Sequence, residues 1–221
     1  MTHQGQNPDP WVFSISERPE TVPHNMVLII AEQKSFLVHQ NVIARSSEYF
    51  RDCFLPETIE MRPRTEDLED VDAHIAGRYL SLAYIFALNG DIETSLENYD
   101  MVQLAQVYVL SDYLSSDFAV ALQRQLEAKV VRYEDPVGDM NWDQARDWAR
   151  QLVHCFAVLG DLEESCGTEI LILNKYMSGT PPDLVQRHLS EWQEEYPEGF
   201  RNPLQTGNTD WSRAIFGTMP C

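Results

Sequence analysis

Two short apolar runs, Met26 to Ile30 and Ser35 to Val38, are separated by the mostly polar Ala31-Glu32-Gln33-Lys34. Short β-branched runs around a polar turn define a β-hairpin. A hairpin alone is barely stable in water, so this pair constrains the chain to supply further strands or helices that cover it. The period changes at once after the second run. Val42, Ile43, Phe50, Cys53 and Phe54 recur at helical spacing. Ser46-Ser47 interrupts that pattern, and Ser47 before Glu48 is a good N-cap, so two short helices are expected rather than one. Ile59 to Met61 is expected to form one more strand. An acidic loop (Glu66, Asp67, Glu69, Asp70 and Asp72) follows it.

Helices dominate from there on. Asp72 can cap a helix running to Leu88, with Ile75, Tyr79, Leu82, Ala83 and Phe86 on one face and Asn89-Gly90 as the stop. Asp100 opens a helix through Leu104, Ala105, Tyr108 and Val109. Ser115-Ser116-Asp117 breaks it and caps the next, which turns Phe118, Leu122, Leu126 and Val130 inward. Beyond Glu134-Asp135-Pro136-Val137-Gly138 the pattern is all helix. Trp142, Ala145, Trp148, Ala149, Leu152, Val153 and Phe156 form one face, closed by Gly160. A second helix is expected within Asp161 to Met177, weakened in its first half by Gly167. Pro181-Pro182-Asp183 starts a third, with Leu184, Val185, His188, Leu189 and Trp192 inward and Pro197 as its end. The fold class is therefore α+β: a small sheet flanked by a helical cluster, then an all-helical extension.

Charge narrows the function. The chain of 221 residues carries 16 Lys plus Arg against 35 Asp plus Glu, a net of −19. The excess is no tail, since residues 22–133 carry −8 and residues 134–221 carry −9. Phosphate backbones and anionic membranes are bound by clustered cations, so neither direct nucleic-acid nor membrane binding is expected. Four scattered cysteines (Cys53, Cys155, Cys166 and Cys221) contain no C-x-x-C pair, which argues against a zinc site or a disulfide framework. The polar opening, Met1 to Asp9, lacks the apolar core of a signal peptide, and an intracellular address in cytoplasm or nucleus is the default expectation.

The run NMVLIIAEQKSFLVHQNVIARSSEYF, Asn25 to Phe50, closely resembles the opening of the BTB/POZ family. Phe36, Val38, His39, Val42, Ile43, Ser47, Tyr49 and Phe50 fall at matching places. Ala83-Tyr84-Ile85-Phe86 to Gly90 is similar to the family's Tyr-rich helix and glycine stop. VYVLSDYL, Val107 to Leu114, resembles its "vYvLAdkY" helix. The likeness covers roughly residues 25–131. It implies a protein-interaction module that commonly self-associates and that in many relatives hands substrates to cullin-based ubiquitin ligases. Two departures stand out. The family often has Asp at the place of Asn25 and Lys or Arg at that of Gln40, in a charged pocket near the dimer interface. Two neutral amides can still hydrogen-bond there without the desolvation cost of a buried ion pair. Leu55-Pro56-Glu57 matches a hydrophobic-x-Glu element by which cullin-binding relatives fill a groove, although a central proline is not typical. No kelch, MATH or zinc-finger pattern accompanies the module.

Chemistry-bearing residues otherwise carry ordinary readings. His39 is expected to make hydrogen bonds at a helix entry, and Phe36 to be core. His154-Cys155 invites a nucleophile–base reading, but adjacent helical residues point about 100° apart and are poorly placed to pair. Glu163-Glu164 and the 66–72 acids fit no calcium loop, and no metalloprotease, nucleophile-elbow or phosphate-loop motif is present. Catalytic, metal and cofactor sites are therefore expected to be absent. Asn25, Gln40, Leu55 and Glu57 are the candidate protein-binding residues.

The organisation read from the chain is a flexible arm (1–24), a BTB/POZ-like domain (25–133), a helical extension (134–197) and an irregular tail (198–221). Trp11-Val12-Phe13 is a possible anchor in the arm, and Trp211, Ile215 and Phe216 are candidates to dock back from the tail. The function expected is non-enzymatic binding: self-association, with a cullin as a further candidate partner. The alternatives are a transcriptional cofactor that reaches DNA through a partner, and a thiol-dependent enzyme using Cys155, His154 or Cys166.

Overall fold

A computed structural model describes residues 13–15, 23–54, 65–133, 142–160, 162, 167–180, 182–191, 197, 200 and 201. The chain divides into two compact units, Met1–Gln125 and Leu126–Cys221.

The first unit opens on a four-stranded sheet in the order β1-β3-β2-β4. Strands β2 (Met26–Ala31) and β3 (Lys34–His39) form the expected hairpin, antiparallel from Met26↔His39 to Ala31↔Lys34. The turn is tighter than the sequence suggests. Ala31 and Lys34 already pair, which leaves Glu32-Gln33 as a two-residue loop with Glu32 at φ 49°. Val27, Ile29, Phe36 and Val38 lie on one face, and all are buried. Leu28, on the opposite face, is fully buried too.

Both outer strands depart from expectation. Strand β1 (Phe13–Ile15), within the stretch read as an arm, pairs antiparallel with β3. Strand β4 (Thr65–Leu68) pairs in parallel with β2, so the first acids of the supposed loop are sheet residues. Thr-Glu-Asp-Leu has little intrinsic strand preference. Its extended form comes from the ladder with β2, which is why local propensity misses it. The strand expected at Ile59 to Met61 lies outside the described residues, as do Trp11 and Val12.

Helices α1 (Gln40–Ser46) and α2 (Glu48–Phe54) are separate, as the serine break implies. Asp72 caps α3 (Ala73–Asn89) by accepting from the backbone N–H groups of His74 and Ile75. Glu32 Oε2 accepts from Ala73 N–H at 3.2 Å, so a second carboxylate from the hairpin turn meets the positive end of the helix. At Gly77 α3 faces the Phe36 ring of the sheet, and a Cβ there would meet that ring at an ordinary contact distance of 3.4 Å. Gly90 ends α3 in the left-handed region at φ 73°. The middle of α3 is buried all round, from Tyr79 to Tyr84, whereas Ile75 and Phe86 are half-buried. A single 3-10 turn, Glu93–Leu96, leads to α4 (Met101–Tyr113), which opens on a complete capping box between Asp100 and Gln103. Helix α5 (Ala119–Arg132) buries Leu122, Leu126 and Val130 as expected, as is Phe118 just before it, and the division between the units falls within the helix.

The second unit is helical in its described residues. Helix α6 (Trp142–Leu159) buries Ala145, Trp148, Ala149, Leu152, Val153 and Phe156. Trp148 stacks on Tyr133 with ring centroids 5.8 Å apart. Helix α7 runs Gly167–Gly179, so its end passes the expected Met177. Glycine is a poor helix interior residue, and here it stands at the helix start, where it costs less. Helix α8 (Pro182–Glu191) begins at its proline, as read. One buried anchor was not read at all. Phe200 is fully buried, edge-on to Phe156 at 4.9 Å and to Tyr176 at 5.1 Å. Trp192, Trp211, Ile215 and Phe216 lie outside the described residues.

Candidate protein interaction surface

A polar node ties the sheet-side helices of the first unit to α4. Ser47 occupies extended backbone (φ −149°, ψ 130°) between α1 and α2 and bridges Ser116. Its hydroxyl accepts from Phe50 N–H at 3.2 Å and donates to the Leu114 carbonyl at 2.7 Å. Around it Glu48 N–H donates to Ser115 O, and Asp117 N–H to Ser46 O. The Tyr79 hydroxyl lies 2.7 Å from Ser116 Oγ, and burial pushes its pKa up to about 12. The two serine breaks in the sequence therefore satisfy one another. Ser47→Ala removes a cap and orphans a buried carbonyl, so it should cost about 2 kcal/mol in urea unfolding of the first unit.

Both His39 and Phe36 hold the structural places expected of them. His39 precedes α1, and its backbone N–H donates to Tyr84 Oη at 2.7 Å. The same hydroxyl lies 2.9 Å from His39 Nδ1. The direction of that second bond follows the imidazole tautomer. Burial raises the Tyr84 pKa, and the bond from the His39 backbone opposes that rise.

The Asn25 and Gln40 pair meets through the backbone, Gln40 N–H donating to Asn25 O at 3.0 Å. An amide-to-amide bond is not how the side chains are used. Gln40 Nε2 donates to the Phe54 carbonyl, answering an unsatisfied acceptor at the end of α2. Asn25 is exposed and Gln40 half-buried. Leu55 and Glu57 follow α2 directly but lie outside the described residues.

Sequence reasoning passed over the aromatic surface beside that helix. Tyr49 donates its hydroxyl to Glu66 Oε1 on β4. Its pKa is raised, first by burial and then by the Glu66 bond and charge. The Tyr113 ring lies 6.2 Å from that of Tyr49 and is 67% exposed, although its neighbour Leu114 is fully buried. The signal was available: Tyr113 falls between the buried positions Leu110 and Leu114, off the inward stripe of α4.

Of the residues of the thiol-enzyme alternative, His154 and Cys155 are not brought together. Cys155 is fully buried in the second unit while His154 is exposed on the same helix, as their 100° offset requires. Cys166 lies outside the described residues. Among the described residues no three His, Cys, Asp or Glu side chains are grouped to hold a metal ion. Among them too, no helix is long and apolar enough to cross a membrane.

Residues 19–120 match the family model described as the BTB/POZ domain, and this segment of the chain is a BTB/POZ domain. No curated protein matches the chain. A BTB/POZ domain is a protein–protein interaction module.

Proposed function

We propose that this chain is a non-enzymatic adaptor that self-associates through its BTB/POZ domain and presents α2 and the residues after it to a cullin-type ubiquitin ligase. The observation that carries this reading is the match over residues 19–120, within which α2 leads straight into Leu55-Pro56-Glu57. The module runs to residue 133 and takes in β1, which completes its sheet. The helices of 134–197 form the extension, 198–221 the tail, and the protein works in cytoplasm or nucleus. Asn25 and Gln40 stand at the hairpin end of the self-associating surface.

Two acidic copies repel, so self-association rests on apolar contact and strengthens as salt screens the charge. Size-exclusion chromatography with light scattering should give a dimer mass, its fraction rising from about 0.05 to about 0.5 M NaCl. A monomer throughout, or a dimer that dissociates with salt, sinks that part. In a pulldown, Leu55→Asp and Glu57→Lys should each reduce cullin capture about tenfold, the size of one modest interface contact. Unchanged capture by both counts against the contact.

A further inference from the structure

The solvent side of α2 and the C-terminal end of α4 share an unusual composition. The Tyr49 and Tyr113 rings form its centre, 6.2 Å apart, with Tyr113 standing open. Glu48, Asp52, Asp112 and Asp117 are all exposed on the same elements and the adjoining turn. The last turn of α4 contains no basic residue, so the negative end of its helix dipole adds to those carboxylates. The one cation of these elements, Arg51, is already engaged. Its Nε donates to the Ala44 carbonyl at 3.2 Å, and its guanidinium reaches Asp117 at 3.8 Å.

We propose that this surface docks an arginine-bearing segment of a partner protein, with a guanidinium stacked on the open Tyr113 ring and its charge answering Glu48 and Asp112. The inference rests on the reading of residues 19–120 as a partner-binding module. It goes beyond that reading in the chemistry of the partner. Charge complementarity selects a cation. The aromatic centre selects arginine over lysine, because a guanidinium is planar, weakly hydrated and stacks on tyrosine while pairing with carboxylates. Nucleic acids and anionic lipid surfaces carry the wrong sign. A second copy would set these acids against a chain of net −19.

Fluorescence anisotropy on the full chain in about 0.15 M NaCl tests it, a concentration at which diffuse attraction is largely screened. The probes are a fluorescein-labelled Ala/Leu peptide bearing three arginines and its lysine twin. The arginine peptide should bind at least about fivefold tighter, and Tyr113→Ala should weaken it about tenfold and erase the preference, whereas Tyr113→Phe keeps it. Asp147→Asn, which removes one exposed charge from α6, should change binding less than about twofold. Equal binding of both peptides, or a Tyr113→Ala variant no weaker than Asp147→Asn, overturns the proposal in favour of diffuse attraction to an acidic chain. Loss of a dimer on Tyr113→Ala, read by light scattering, assigns the surface to a second copy and overturns it too. A monomeric wild type that still binds the arginine peptide through Tyr113 leaves this inference standing while the self-association reading falls.

Discussion

Phe50→Ala is expected to cost the first unit about 3–5 kcal/mol, the range for truncating a buried aromatic residue. Phe50 is fully buried and packs α2 against α3. Its ring stacks on Phe54 at 5.9 Å, tilts against Tyr79 at 6.3 Å and takes the Tyr49 ring edge-on at 5.4 Å. Its backbone N–H is also the one that Ser47 caps. A cavity there would loosen α2 from α3 and with it the residues that carry the interaction surface. The measurement should be local, because a chain of two compact units need not unfold in one step. Hydrogen exchange read by mass spectrometry should speed up on peptides from α2 and α3 by about two to three orders of magnitude, while peptides from α6 stay near wild type. Uniform acceleration across both units would show that they unfold together. No acceleration on α2 and α3 would mean that the Phe50 ring does not hold them.

The second large effect is a response to acid confined to the helical unit. His188 is fully buried, and its Nδ1 lies 2.9 Å from the Tyr176 hydroxyl. Burial lowers its pKa from 6.5 to about 4, with Arg187 adding to the fall and Glu191 opposing it. The unfolded chain therefore takes up the proton at a higher pH than the folded one. The stability linked to this group is complete above about pH 6.5 and is lost as pH falls through about 4. The loss amounts to about 3 kcal/mol at most, at 1.36 kcal/mol for each pH unit. Four of the five tryptophans (Trp142, Trp148, Trp192 and Trp211) lie in this unit, so tryptophan emission reports on it. Urea midpoints followed by that emission should fall between pH 6.5 and 4, and His188→Gln should flatten the fall while lowering stability at neutral pH. An equally steep fall in His188→Gln would assign the acid response to carboxylates. Phe200 packs edge-on to Tyr176, so the same protonation should also loosen the chain around residue 200.

Much of this fold is legible locally. The hairpin, the Ser46-Ser47 break, the Asp72 and Asp100 caps and the Gly90 stop each depend on a few neighbouring side chains and backbone groups, and each stands where the sequence puts it. The interaction surface is less legible. Gln40 was read as a partner for Asn25, yet its amide caps α2, because the chain returns beside it and leaves the Phe54 carbonyl in need of a donor. Tyr113 was read only as part of a helical motif. Its exposure depends on which elements cover α4, and no single helix carries that information.

Alternation, helical period and capping chemistry thus determine by themselves the α+β class, the hairpin with the two short helices after it, and the helices from α3 to α5. These act over one or two turns of chain and do not depend on what packs against them. The tertiary structure alone decided that Thr65–Leu68 is a strand, that the breaks at Ser47 and Ser116 complete one another, and that Phe200 is a core residue. Each of these is a pairing between residues far apart in the chain. A backbone donor, an acceptor or an aromatic ring states what it needs, but only the closed fold determines which distant residue supplies it.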